Sequence, residues 1–286
     1  MGKVVFVNDF FIDEYVGGAE LTSESLINSS TSVVNKIKSS EITLETIEKF
    51  KDHVWLFGNF CQMHLPLIMQ IIKSKIEYHI IEYDFKFCEL RSPEKHILLG
   101  DTCSCEKEES GKLISVFFAN SKMIWYMSQK QKAVYEGRFG FLKQRESHVL
   151  SSIFSEETLD KLQELKSEKN NKWMILNSQS WIKGTQETIE YAVKNNLDYD
   201  LVGNVSYEKM MEMFSKSKGF IFLPKGGDTC PRVVIEAKLL GCELILNDNV
   251  LHKDEDWFNL EREGIIKYLK SRPNFFWNTI EKECTQ

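Results

Sequence analysis

The stretch Phe220–Gly241 constrains the fold more than any other part of the chain. It opens as an apolar run, Phe220–Leu223, turns through Pro224, Lys225, Gly226 and Gly227, and then takes up helical spacing. Pro231 suits the first helical turn, where its missing N–H would have no partner anyway. Val233, Val234, Ala237 and Leu240 share one helical face, and Gly241 supplies the stop. Two acids interrupt the pattern: Asp228 in the turn and Glu236 inside the helix. A turn at the carboxyl end of a strand, opening a helix, is where open α/β sheets bind ligands. Free N–H groups and the positive helix end favour phosphate there.

The same alternation runs along the whole chain. Val4–Val7 reads as a strand buried on both faces. Gly17-Gly18 precedes a helix over 19–27, a layout that either cradles phosphate or is a plain glycine turn. Strands at Val54–Phe57 and Glu77–Glu82, the latter ending in Tyr83-Asp84, flank a helix over 65–72. The segment 85–110 is irregular. Helical spacing at 114–119, a strand at 123–127, a helix at 129–138 and an extended piece at 149–154 follow. The polar, Glu/Lys-rich run 155–171 marks a join, after which the pattern restarts. Strands fall at 173–176, 199–202 and 244–246, with helices at 185–193 and 207–214. The segment 257–269 is largely helical, and Pro273 is expected to open a last helix carrying Phe275, Phe276, Trp277 and Ile280. The expected division is 1–154 and 155–272, with a C-terminal helix 273–286 packing back on the first domain.

A chain of 286 residues with 42% hydrophobic residues fits two modest α/β domains. A net charge of −6 excludes a global bias toward nucleic acid or membrane. No apolar run is long enough for a transmembrane helix, and the first residues lack a signal peptide's apolar core and cleavage site. Seven scattered cysteines read as mostly reduced thiols, so the expected location is cytoplasmic. Neither Gly-x-Gly-x-x-Gly nor a Walker A sequence is present, which speaks against a dehydrogenase or an NTPase.

The second half resembles the donor-binding domain of GT-B glycosyltransferases of family 4. The residues that carry the likeness are Lys183-Gly184, Val202-Gly203, Leu223-Pro224, Asp228, Glu236-Ala237 and Gly241, in the family's order and spacing. Gly17-Gly18-Ala19-Glu20 extends it more loosely into the first half. The resemblance implies two Rossmann-like α/β domains facing across a cleft, and a compact member of the kind phages encode. It implies a retaining hexosyl- or pentosyltransferase that moves a sugar from a UDP- or GDP-type donor to an acceptor hydroxyl, with no catalytic metal. The alternative is a degenerate relative that binds a nucleotide sugar or glycan without turnover. Three departures stand out: Asp228 replaces the usual Glu, the chain is short, and the family's diphosphate-binding Arg is missing near Asn177. Lys183 would then carry more of the neutralisation, with Arg232 or Lys225 helping.

By the same resemblance, Lys183 holds the diphosphate, Asp228 the sugar hydroxyls and Glu236 the ribose. Thr229 and Cys230 add backbone contacts, Val205 borders the base, and Gly17 and Gly18 approach the phosphates or the acceptor. Asp84 is the candidate acceptor-side contact or general base, with Arg91 as an anion-binding neighbour. A basic segment with interleaved aromatics, Lys122 to Arg145 and including Lys130 and Lys132, reads either as a solvated helix over core aromatics or as a face for an anionic acceptor, a glycolipid, lipopolysaccharide or a hydroxymethylated DNA base. Cys88, His96, Cys103 and Cys105 form a Cys₃His set whose readings are structural zinc, free thiols or a disulfide.

Overall fold

The computed structural model describes residues 3–283. It divides into two compact units, Met1–Ile153 with Ser271–Gln286, and Phe154–Lys270. Residues 284–286 of the expected last helix lie outside the described residues.

In the first unit the strands are β1 (Val4–Asn8), β2 (Val34–Lys38), β3 (Val54–Phe57), β4 (Tyr78–Glu82), β5 (Met123–Tyr126) and β6 (Ser147–Val149). They pair in parallel in the order β2-β1-β3-β4-β5-β6. The crossovers carry α1 (Gly18–Asn28), α2 (Leu44–Lys49), α3 (Leu67–Lys73), α4 (Pro93–Leu98), α5 (Glu109–Asn120) and α6 (Gln129–Arg138). β1, β4 and β5 are buried along their whole lengths, as helices on both faces require. Aromatic rings fill the core beside them: Tyr78 stacks on Phe117 at 4.4 Å, and Phe57 meets both edge-on. β2 escaped the sequence reading because it is an edge strand, half-exposed and carrying Lys36 and Lys38, so it lacks a buried strand's apolar run.

The second unit holds β7 (Trp173–Leu176), β8 (Tyr199–Val202), β9 (Gly219–Phe222) and β10 (Glu243–Leu246), parallel in the order β10-β9-β7-β8. Its helices are α7 (Glu156–Glu164), α8 (Thr185–Lys194), α9 (Tyr207–Lys216) and α10 (Arg232–Leu239). Trp173, Ile175, Ala192 and Ile221 form a core between sheet and helix.

Two expectations need correction. Pro273 does not open a helix. It lies inside α11 (Arg262–Glu283), which starts in the second unit and ends in the first. A proline inside a helix removes one backbone bond. Phe276 and Ile280, both fully buried, offset that loss by burial of order 1.5–3 kcal/mol each. The irregular segment 85–110 contains α4 and the start of α5. Among the described residues no helix is long and apolar enough to cross a membrane.

His252, in the second unit, is fully buried and stacks on Trp257 at 5.7 Å, with Phe258 edge-on. Burial pushes its pKa from 6.5 down to about 3. A depressed folded-state pKa means that stability is full above the unfolded value and falls as pH drops toward the folded one. The slope reaches about 1.4 kcal/mol per pH unit. His79, buried in the first unit and pushed down to about 4, acts with the same sign. Urea denaturation between about pH 7 and about pH 4 is expected to show a shallower loss of stability for His252→Gln than for wild type. An unchanged slope would mean that this imidazole charges in place.

Candidate functional site

In each sheet one pair of neighbouring strands sends its connections in opposite directions, and ligands of open α/β sheets bind at the carboxyl ends of such a pair. In the second unit the pair is β7 and β9. Past the end of β7, Thr185 Oγ1 donates to Leu176 O at 2.8 Å and accepts from Ser178 N at 3.1 Å, which folds the loop back onto α8. Gly184 closes that loop at φ +61°, and a Cβ there would lie 2.2 Å from Leu223 O. Both facts exclude a side chain at this position, so the glycine of the Lys183-Gly184 pair is dictated by backbone geometry. Past the end of β9, Asp228 is fixed by a bond from its N–H to Asn249 O at 2.8 Å, and its carbonyl accepts from Leu251 N.

These two loops bring Lys183 and Asp228 together: Nζ to Oδ2 is 2.6 Å. The ammonium also lies 5.7 Å above the Phe222 ring. The side chains are 28% and 13% exposed, so the pair is open to a ligand from solvent. Asp228, Thr229 and Cys230 form the link from β9 into α10, the latter two nearly buried. Pro231 is the residue just before the first helical position, one place earlier than expected. Val205 is well exposed in the turn after β8.

Glu236 is buried, as its place on the apolar face of α10 demands, but it already has partners within the chain. Tyr207 Oη donates to Oε1 at 3.1 Å, and Arg232 Nε stands 3.7 Å away. Burial raises the Glu236 carboxyl above its usual range, and Arg232 opposes that. The cost of burying this acid therefore does not itself call for a ligand. Arg232 is also withdrawn from the surface, stacked 3.9 Å over the Phe154 ring. Lys225 pairs with Glu187 at 2.6 Å. Of the three cations named from the sequence, Lys183 is the one paired directly with Asp228.

In the first unit the divergent pair is β1 and β3, and a polar cluster fills the ends of β1, β3 and β4. Arg91, held at φ +57°, reaches Asp84 Oδ2 with Nε at 2.7 Å and Asn59 Oδ1 with Nη2 at 2.8 Å. Its Nη1 contacts the Cys61 sulfur and lies 3.7 Å from Asp9 Oδ2. Asp9 accepts from Ser39 Oγ at 2.5 Å and from the backbone N–H groups of Cys61 and Gln62. Asp84 and Arg91, named separately from the sequence, are thus partners. One Asp84 oxygen is engaged by the guanidinium, and Lys86 Nζ lies 3.7 Å from the other. This favours a positioning role over that of a free base.

Asp9 and Asn59 escaped the sequence reading. The available signal was position: each polar residue follows closely on a buried parallel strand, where a sheet presents its ligand-facing end. Gly17 caps α1 and Gly18 is its first residue, one place earlier than expected, and Glu20 folds back over Gly17. A Cβ on Gly17 would sit 2.6 Å from Glu20 Oε2. Burial raises that carboxyl, while its own backbone N–H stabilises the charged form. An acid at this helix end competes with phosphate and suits hydroxyl groups.

The basic segment is largely knit into the first unit. Arg138 pairs with Glu106 at 2.7 Å, Lys132 with Glu136 at 3.7 Å, and Arg145 donates to Ser121 O. Trp125, Tyr126, Tyr135 and Phe139 are buried, so they serve the core and are not stacking platforms. Lys130 is half-buried, and Lys122, Phe141 and Lys143 are exposed. Cys88, His96, Cys103 and Cys105 converge, with their ligand atoms all within 4.8 Å of one another.

No protein-family model matches the chain, and no curated protein matches it in sequence. Solved structures match in fold. An alpha-glucosyltransferase in complex with UDP and a 13-mer DNA containing an HMU base aligns at a TM-score of 0.52 and 10% identity, over 99% of this chain and 94% of that one. The apo structure of OtsA aligns at 0.55 and 8% identity, over 95% and 91%. Anabaena Alr3699/HepE, in complex with UDP and glucose, aligns at 0.50 and 10% identity, over 85% and 80%. At such identities the likeness is one of fold, and the fold is that of GT-B glycosyltransferases.

Proposed function

We propose that the protein is a retaining glycosyltransferase that moves a sugar from a UDP- or GDP-type donor to an acceptor hydroxyl. The observation that carries this reading is the Lys183–Asp228 pair at the divergent strands of the second unit. Breaking the bond between the anomeric carbon and the diphosphate builds negative charge on the leaving oxygen and positive charge on the sugar ring. A preorganised cation beside the leaving group stabilises that change. Lys183 has three N–H donors, so it can keep one on Asp228 and turn the others to phosphate. Asp228 can accept from sugar hydroxyls with its second oxygen. Glu236, held by Tyr207, stands one helix turn into α10 and is the proposed ribose contact. Thr229 and Cys230 add backbone contacts to the sugar, and Val205 borders the base.

The acceptor-side contacts in this proposal are Asp84, Arg91 and the Gly17-Gly18 turn. Arg91 fixes Asp84, and Glu20 supplies a further acceptor for hydroxyl protons. The proposal includes a cytoplasmic location, consistent with Cys61, Cys88, Cys103, Cys105 and Cys242 being outside any disulfide. A hydroxymethylated DNA base is one acceptor to try, because a solved structure of like fold is bound to such DNA. An anionic glycolipid is the other.

A binding protein without turnover is the competing reading, favoured by the missing diphosphate Arg near Asn177 and by the burial of Arg232. Release of free nucleoside diphosphate from a panel of UDP- and GDP-sugars, with and without each acceptor, separates the two. Turnover of one donor, abolished in Glu236→Ala, is the expected result. Saturable donor binding without diphosphate release would select the binding protein, and no binding at all would overturn both.

A further inference from the structure

We infer that Cys88, His96, Cys103 and Cys105 form a structural zinc site that fastens the segment 88–108 to the first unit and sets the backbone at Arg91. The inference stands independently of the glycosyl-transfer reading.

The four ligand residues come from separate pieces of chain. Cys88 lies in the turn after β4, where its N–H donates to Phe85 O at 2.9 Å. His96 is on α4, Cys103 in the loop that follows, and Cys105 at the start of a short 3-10 turn, Cys105–Lys107. They nevertheless point at one spot. The Cys88 and Cys105 sulfurs each lie 3.3 Å from His96 Nε2, and all four ligand atoms fall within 4.8 Å of one another. Zinc–sulfur bonds of about 2.3 Å and a zinc–nitrogen bond of about 2.0 Å, at tetrahedral angles, set ligand atoms about 3.5–3.8 Å apart. The two sulfur–nitrogen separations of 3.3 Å are close to that, and no pair of ligand atoms is more than 4.8 Å apart. Three thiols and one imidazole are also a donor set that zinc prefers over the harder divalent ions.

Hydrophobic burial does not account for the segment's order. α4 is six residues long, far below the length at which a helix stands alone. Its exit, Ile97, Leu98 and Leu99, is 66%, 54% and 70% exposed, so these apolar side chains hold nothing down. By contrast Cys88 and Cys105 are buried. The neighbourhood is also shaped for them. A Cβ on Gly111 of α5 would lie 2.0 Å from Cys105 O, so the helix backbone abuts the turn that presents this sulfur.

The charge fits as well. Three thiolates and one divalent cation leave a net −1. The backbone amides of Leu90 and Glu89 face the Cys88 and Cys105 sulfurs. Arg138 donates to Cys103 O at 3.1 Å. Amides aimed at sulfur and a nearby guanidinium are the outer partners that thiolate ligands need.

The consequence reaches the polar cluster at the strand ends. Arg91 N–H donates to Cys88 O at 2.9 Å, and the residue takes a positive φ unusual for its type. A metal bond at Cys88 pins the turn that imposes this conformation, and with it the guanidinium that meets Asp84 and Asn59.

The test is metal analysis of the full chain, purified without chelators from zinc-supplemented medium. About one zinc per chain is expected, with a zinc-edge X-ray absorption spectrum fitted by three sulfurs and one nitrogen. Cys103→Ser should lower zinc content several-fold, while Cys242→Ser, outside the cluster, should keep it. Zinc far below one equivalent in wild type, with no uptake by the reduced protein, would overturn the inference. So would a coordination shell without sulfur, or a disulfide among these cysteines by mass. Both wild-type measurements stand even if Cys103→Ser does not fold.

Discussion

Replacing Lys183 by alanine is expected to lower kcat for diphosphate release by about 10²–10³-fold while leaving the fold intact. The size follows from the charge change. A donor aimed at developing negative charge in a preorganised site is worth about 2.7–4 kcal/mol to the transition state. Little else compensates: Arg232 is stacked over the Phe154 ring beside Glu236, and Lys225 is committed to Glu187. The stability cost should be small. The Lys183–Asp228 pair is partly exposed, and such pairs contribute about 0–1 kcal/mol. A structural ion pair predicts the opposite pattern, a lowered Tm with kcat unchanged. Steady-state kinetics and thermal melts on the same preparation therefore decide the matter. A loss confined to KM would move Lys183 from leaving-group stabilisation to ground-state binding. Unchanged kcat and KM would remove it from the site.

The strand–turn–helix at Phe220–Gly241 was legible because three local signals agree there: an apolar run, glycines in the turn, and helical spacing after it. The Lys183-Gly184 pair was legible as a motif, but its reason was not. That Gly184 must lack a Cβ because Leu223 O lies against it is a contact across 39 residues of sequence, and spacing does not show it. Asp84 and Arg91 could be named separately, yet their partnership depends on the turn at Cys88 and the positive φ at Arg91. Glu236 shows the reverse problem. An acid on an apolar helical face signals a partner, and the sequence does not reveal whether that partner is a ligand or, as here, a tyrosine and an arginine of the same unit. Pro273 misled because proline is both a good helix opener and a tolerated interior residue when tertiary burial outweighs the lost backbone bond. The aromatics between Lys122 and Arg145 repeat the point: their spacing suits a stacking surface, but burial decides, and most are core.

Next to Asp84 and Arg91 lies a pair that no motif singles out, and it carries the largest expected effect on stability. Glu82 is fully buried at the end of β4, and Lys86 is nearly so. Lys86 Nζ donates to Glu82 Oε2 at 3.0 Å, and the Lys86 backbone N–H donates to Oε1 at 3.0 Å. Gln131 closes the site from α6, donating to the carbonyls of Glu82 and Asp84. Lys86→Met is expected to cost about 3–5 kcal/mol at neutral pH, because it strands a carboxylate away from water. Burial already raises the Glu82 carboxyl above 4.5, and Lys86 opposes that rise. Without the lysine the folded-state value climbs further. A raised folded-state pKa gives stability that is full below the unfolded value and lost as pH rises. The deficit of Lys86→Met should therefore shrink as the pH is lowered toward about 4.5. The double variant Glu82→Gln, Lys86→Met removes both charges, and most of the lost stability should return at every pH. Urea denaturation of the three variants at neutral and acid pH reads all of this directly. A deficit below about 1 kcal/mol for Lys86→Met, independent of pH, would show that water reaches Glu82. A double variant that is as stable as wild type yet loses turnover would assign this pair to the site, since Lys86 Nζ also stands 3.7 Å from Asp84.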